Sequence, residues 1–147
     1  METAVVSVFS LKLVSEPTTL EQAYLETPAA VASLAQKLVG DRDREVLGVL
    51  YLSTRHELMG YSIAYVGGLA RSVCEPRGIY VPALLMNAAV VLLFHNHPSG
   101  NPQPSPEDIR STLQLREAGE ILGVTLLDHV IVGPRGSWTS LREQGAF

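Results

Sequence analysis

The chain has 147 residues, 46 % of them hydrophobic, and a formal net charge of −4; that length predicts one domain, burying roughly 68–70 % of the surface its unfolded chain exposes. The acidic balance argues against an autonomous DNA binder, because sequence-independent affinity comes from Lys and Arg neutralising phosphates, whereas lysine occurs only at Lys12 and Lys37 and the longest basic run is the mixed Arg42-Asp43-Arg44. One cysteine, Cys74, excludes an internal disulfide and zinc sites built from two or more cysteines, and reads as a buried structural thiol. With no uninterrupted apolar run of about 18 residues and no basic-then-apolar leader pattern, a soluble cytoplasmic protein without membrane contact is expected.

Residues Val5 to Val14 alternate well enough for an edge strand that Pro17 ends, and Thr18 to Leu25 suits a helical turn or short helix. Thr27 then N-caps a helix with Pro28 in its first position; Val31, Leu34, Ala35 and Leu38 make the apolar stripe and Gly40 stops it. Glu45 to Leu52 and about Glu57 to Val66 read as a hairpin around Ser53 to His56, with His56 solvated in the turn. Gly67-Gly68 breaks the chain without the lysine or further glycines of a phosphate loop. Pro76 to Met86 predicts a helix that Pro82 kinks or delays, leading into the apolar run Ala88 to Phe94, a buried strand. Ser105 to Leu122 is the clearest helix; Ile109, Leu113, Leu115 or Arg116, Ala118 and Ile121 mark an imperfect apolar face, and Gly123 caps it. Leu126 to Val132 and Ser137 to Leu141 pair across Gly133-Pro134-Arg135-Gly136 as a final hairpin.

The chemistry gathers where the buried strand ends, at His95-Asn96-His97-Pro98. Two histidines at i and i+2 on a strand project from the same side of the backbone, so both imidazoles can face one ion. Asp108, in the first turn of the next helix, adds a carboxylate, and an N, N, O set suits zinc while leaving a fourth position open for water. Ser105-Pro106-Glu107-Asp108 is also an ordinary helix start, which by itself accounts for Ser105 and Asp108; it does not account for His-x-His. A metal hydrolase needs a base, and Glu45 at the head of the second apolar strand is the candidate, with Glu57 and Glu75 next; a solvated strand end is the other reading, and periodicity does not choose between them. Asp128 and His129 point to opposite faces of a strand and therefore take structural roles, one side chain supporting the site. Asn96 and Ser99 read as loop formers. The tripeptide His-Asn-His is not an HNH nuclease, whose residues are dispersed, and the zinc deaminase signature is absent.

These residues resemble the JAMM (MPN-plus) metalloproteases, and within them the bacterial RadC-like proteins. The superfamily pattern of a distant Glu, His-x-His-Pro and Ser-x-x-Asp is met by Glu45, His95, His97, Pro98, Ser105 and Asp108. The RadC branch adds His-Asn-His-Pro-Ser-Gly, Pro-Ser-x-x-Asp and Asp-His-x-Ile-x-Gly, met here by His95 to Gly100, Pro104 to Asp108 and Asp128 to Gly133. The resemblance runs from about Ala29 to the C-terminus, so residues 1–28 are an extension to a single domain of residues 1–147. Where RadC-like chains usually carry His-Pro-Arg-Glu, this one has Glu75-Pro76-Arg77-Gly78, which puts any role of that acid and histidine in doubt. The helix-hairpin-helix region of longer relatives is expected to be absent.

The resemblance implies an α/β fold, a mixed-sheet α-β-α sandwich of the cytidine-deaminase-like kind. It implies one zinc ion per chain on His95, His97 and Asp108, Glu45 as general base and Ser105 as hydrogen-bond donor to the oxyanion formed as an amide is hydrolysed. The substrate expected is an unidentified peptide or protein side-chain amide. A DNA-associated role in repair or mobile-element biology is disfavoured by the charge, and a non-catalytic metal-stabilised module by the presence of Glu45, since a structural site needs no base. Oligomeric state stays open, a homodimer included.

Overall fold

The structure, a computed structural model, describes residue 1 and residues 3–20, 24–67 and 75–147. Helix α1 (Pro28–Val39) begins where Thr27 Oγ1 accepts the Ala30 N–H at 3.2 Å and Pro28 fills the first position, the arrangement that satisfies free N–H groups at a helix start. Strands β1 (Glu45–Leu52) and β2 (Leu58–Gly67) form the antiparallel hairpin. Helix α2 (Pro76–Leu85) continues past Pro82. The bond that proline cannot donate would go to the carbonyl of Gly78, an exposed residue that water can serve. Asn87, with φ 56°, turns the chain toward β3 (Val90–Asn96). Helix α3 (Pro106–Leu122) ends at Gly123, whose left-handed φ of 75° lets its N–H reach Gly119 O. Strand β4 (Thr125–Val132), a 3-10 turn (Pro134–Gly136) and β5 (Trp138–Ser140) complete the chain.

The five strands lie in the order β2-β1-β3-β4-β5. β3 pairs antiparallel with β1 and parallel with β4. Alternation along the strands sorts the core into two layers: Leu50, Leu52, Leu92, Phe94, Val130 and Val132 pack under α1, while Val49, Tyr51, Val91 and Leu93 pack with Ile79, Tyr80 and Ala83 of α2 and Leu115 of α3. The result is an α-β-α sandwich on a mixed sheet, and every residue of β3 is buried because it is flanked on both edges and covered on both faces. Two glycines allow close approach, one within the sheet and one between α2 and α3. A Cβ on Gly48 would run into the Phe94 ring, and one on Gly119 into Tyr80 and the Val124 carbonyl. Among the described residues no helix is long and apolar enough to cross a membrane.

Four expectations need correction. Residues 3–19 are exposed and unpaired, so the edge strand at Val5 to Val14 does not form; the sheet ends at β2 and β5, and alternation without a partner for its N–H and C=O groups does not hold a strand. No helix covers residues 18–20 or 24–25; instead Tyr24 bridges to Glu57, donating its hydroxyl to Oε1 at 3.0 Å, while positions 21–23, like Cys74, lie outside the described residues. The buried face of α3 is Thr112, Leu115 and Gly119, leaving Leu113 and Ile121 exposed, because the helix sits close on Tyr80 and small residues fit that approach. His56 is partly buried rather than fully solvated.

Candidate metal centre

Strand alternation brings the site together. Glu45, Leu47 and Val49 on β1 and Val91, Leu93 and His95 on β3 face the α2/α3 layer, so Glu45 and His95 emerge on that face at neighbouring strand ends. His97 follows one step past β3, its N–H bonded to Val132 O at 2.9 Å. Asp108 arrives from α3 through a capping box: Ser105 Oγ accepts the Asp108 N–H at 3.0 Å and Asp108 Oδ2 accepts the Ser105 N–H at 2.7 Å.

One potential ligand atom from each of Glu45, His95, His97 and Asp108 lies within 4.8 Å of the others. Nε2 of His95 is 2.8 Å from Nε2 of His97, 3.5 Å from Glu45 Oε1 and 3.6 Å from Asp108 Oδ1. Nε2 of His97 is 3.4 Å from Asp108 Oδ2 and 4.0 Å from Glu45 Oε1. With ligand bonds of about 2.0–2.1 Å, the edge of a zinc tetrahedron measures about 3.3–3.4 Å, so three of these five separations are of the right size. The donor chemistry fits as well. Asn101 O can only accept, so His97 Nδ1, 2.8 Å away, carries the proton and the lone pair of a neutral His97 is on the inward Nε2. Two imidazole nitrogens and two carboxylates converging within 4.8 Å are a set that could hold a cation.

Electrostatics sharpens this picture. Burial, aided by His129, keeps the His95 pKa well below the ordinary 6.5, so His95 is neutral and able to donate a lone pair. His97 is raised, chiefly by its hydrogen bond with Asp108. Burial would raise Asp108, but His97, His95 and Ser105 together hold its carboxyl well below the usual range. Glu45 is raised by burial, with its side chain still 31 % exposed, so it sits between the cluster and solvent. A cavity of about 30 Å³ beside the cluster is bordered by Glu45, His95, Asp108 and Thr112, room for a water and little more.

Four of the five residues singled out from sequence, Glu45, His95, His97 and Asp108, meet at one place, and Ser105 is tied to them through its capping bonds with Asp108; Glu57 and Glu75 do not join the cluster, Glu57 being engaged with Tyr24 and Glu75 with Arg77 at 3.7 Å. Three further residues belong to the setting. His129 Nε2 is 2.6 Å from His95 Nδ1, and Thr112 Oγ1 is 2.7 Å from His129 Nδ1. Thr112 lies four residues, one helical turn, after Asp108, a spacing that by itself carries no chemical signature. Asn96 is no mere loop former. It is buried, its Oδ1 accepting the Val46 N–H at 2.7 Å and its Nδ2 donating to Arg44 O at 2.9 Å and Arg42 O at 3.3 Å, which fastens the backbone on both sides of Glu45. Asp128, on the opposite face, is occupied by the His129 and Arg142 N–H groups and the Ser140 hydroxyl.

The RadC-like JAB domain family matches residues 25–146. The chain is 46 % identical over 127 residues to a UPF0758 protein of Salinibacter ruber, an alignment covering 86 % of this chain and 54 % of that protein. It is 40 % identical over 134 residues to a UPF0758 protein of Shouchella clausii, covering 91 % and 58 %, and 38 % identical over 134 residues to one of Listeria monocytogenes, covering 91 % and 59 %. The chain therefore spans somewhat over half the length of these relatives.

Proposed function

The chain belongs to the RadC-like JAB domain family, and from that premise we propose that it is a zinc-dependent hydrolase that cleaves an amide bond in a peptide or protein side chain, with His95, His97 and Asp108 as ligands. The convergence of the two Nε2 atoms with the carboxylates of Asp108 and Glu45 carries this reading. Zinc held there would supply a water of lowered pKa, toward about 7. In this reading Glu45 takes a proton and returns it to the departing amine; its carboxyl, raised by burial, and its partial exposure support the part. Ser105 Oγ spends its acceptor capacity on the Asp108 N–H, which leaves the hydroxyl hydrogen free to donate to an oxyanion. Net charge −4 favours a protein over a nucleic acid as the partner.

The test compares new N-termini and lost protein conjugates in cells producing the chain or its Glu45→Gln variant. Products present only with the unaltered chain are expected; indistinguishable profiles, with both proteins carrying zinc, would reject amide hydrolysis.

A further inference from the structure

A buried hydrogen-bond relay behind the site determines which nitrogen of His95 holds its proton. The relay starts at the backbone carbonyl of Asp108, which has no hydrogen to give. Thr112 Oγ1 stands 2.6 Å from that oxygen and donates to it. A hydroxyl has one hydrogen, so toward His129 Nδ1, 2.7 Å away, Thr112 can only accept. The neutral His129 ring therefore has its proton on Nδ1 and a lone pair on Nε2. That lone pair meets His95 Nδ1 at 2.6 Å, which must then be the donor. His95 is left with its lone pair on Nε2, the atom facing Glu45, His97 and Asp108. His129, Thr112 and His95 are all buried, so water does not compete for these bonds.

We propose that Thr112 and His129 are positioning residues that lock His95 in the Nδ1–H tautomer and so hold its Nε2 lone pair ready for a metal ion. The purpose rests on the metal reading above; the tautomer does not. The relay also closes on itself, because it ties His95 on β3 to the backbone of Asp108 on α3, fixing the spacing of two of the ligands before any ion arrives. Removing the Thr112 hydroxyl breaks the directionality: His129 Nδ1 loses its acceptor, the His129 proton can move to Nε2, and His95 Nδ1 then becomes an acceptor with its own proton on the inward Nε2.

The experiment records imidazole nitrogen NMR spectra of chelator-treated protein labelled with ¹⁵N-histidine at neutral pH, and measures zinc affinity by competition with a chromophoric chelator. Wild type is expected to show His95 and His129 both protonated on Nδ1. Thr112→Val, which keeps the side-chain shape, is expected to shift the His95 proton toward Nε2 and to weaken zinc binding by roughly 10- to 100-fold, with Thr112→Ser restoring both. Wild-type His95 protonated on Nε2 would overturn the proposal, as would a Thr112→Val protein with wild-type tautomers and affinity. The wild-type spectrum decides the matter even if Thr112→Val fails to fold. A wild type with the Nδ1–H tautomer that binds no zinc supports the lock and refutes the metal reading.

Discussion

Glu45 stands as near His95 Nε2 as Asp108 does, 3.5 Å against 3.6 Å, so distance does not separate a base from a fourth ligand; proton chemistry does. If it is the base, Glu45→Gln keeps its zinc and hydrolyses the substrate about 10²-fold or more slowly, the scale of acid–base assistance; metal analysis beside the rate checks this, and a variant that loses zinc makes Glu45 a ligand. His129 supports a second prediction, for protein kept in chelator. Burial lowers its pKa to about 4 in the folded chain, against the ordinary 6.5. As pH falls the unfolded chain takes up the proton first, so stability is full above about pH 6.5 and declines toward pH 4, by at most about 3 kcal/mol at about 1.36 kcal/mol per unit. Burial shifts His95 the same way, so His129→Gln should reduce this slope without abolishing it. Urea titrations from pH 7.5 to 4 read it directly, and a wild-type curve flat across that window would contradict the burial argument. The outer residues of the site were legible because histidine and carboxylate at fixed spacing are rare; Thr112 was not, because a threonine in a helix carries no chemical signature until the fold shows what lies across from it.

At the scale of elements, the site depends on how β3 grips the chain before β1. The Asn96 amide satisfies three backbone groups around Glu45, of which the Val46 N–H is buried, and a buried group left without a partner costs about 1–3 kcal/mol. Asn96→Ala should therefore lower unfolding free energy by about 1–3 kcal/mol and, with the Arg42 to Val46 backbone released, reduce activity more than the stability loss explains. Denaturant titration and rates measured where the variant is fully folded check both; Ser99→Ala, exposed in the loop, serves as the control that changes neither. An asparagine beside two histidines reads as turn chemistry in sequence, since the carbonyls it serves lie about fifty residues away and no local pattern announces them. The same limit explains α3. Its Ser105 cap and Gly123 stop are local and were legible, but its buried face is chosen by Tyr80, whose hydroxyl donates to Leu115 O at 2.5 Å, so the small residues Thr112 and Gly119 turn inward and Ile121 remains outside. Val5 to Val14 shows the converse error, a good local pattern with no strand beside it.

Across the whole molecule, the candidate ligands come from the end of β3 and the first turn of α3, with Glu45 reaching the same place from the start of β1, so an ion held there would staple β3 to α3 beneath the head of β1. Element types were legible from apolar periods and caps, and the sandwich from the resemblance; the order β2-β1-β3-β4-β5 was not, because nothing within β1 states that its second neighbour is a strand nearly forty residues downstream. That topology would make a bound metal a global stabiliser with a measurable size. An ion that binds only the folded chain adds about 2.7 kcal/mol when its free concentration is a hundred times Kd, which for a domain of this length is a rise in Tm of about 5–11 °C. Zinc added to chelator-treated protein should produce that rise, and EDTA should reverse it. His97→Ala and Asp108→Ala should melt in chelator within a few degrees of the parent, because His97 and Asp108 are only partly buried, 16 % and 17 % exposed, yet show no response to zinc. If either variant gains as much from zinc as the parent, the ion sits elsewhere and these side chains are not its ligands.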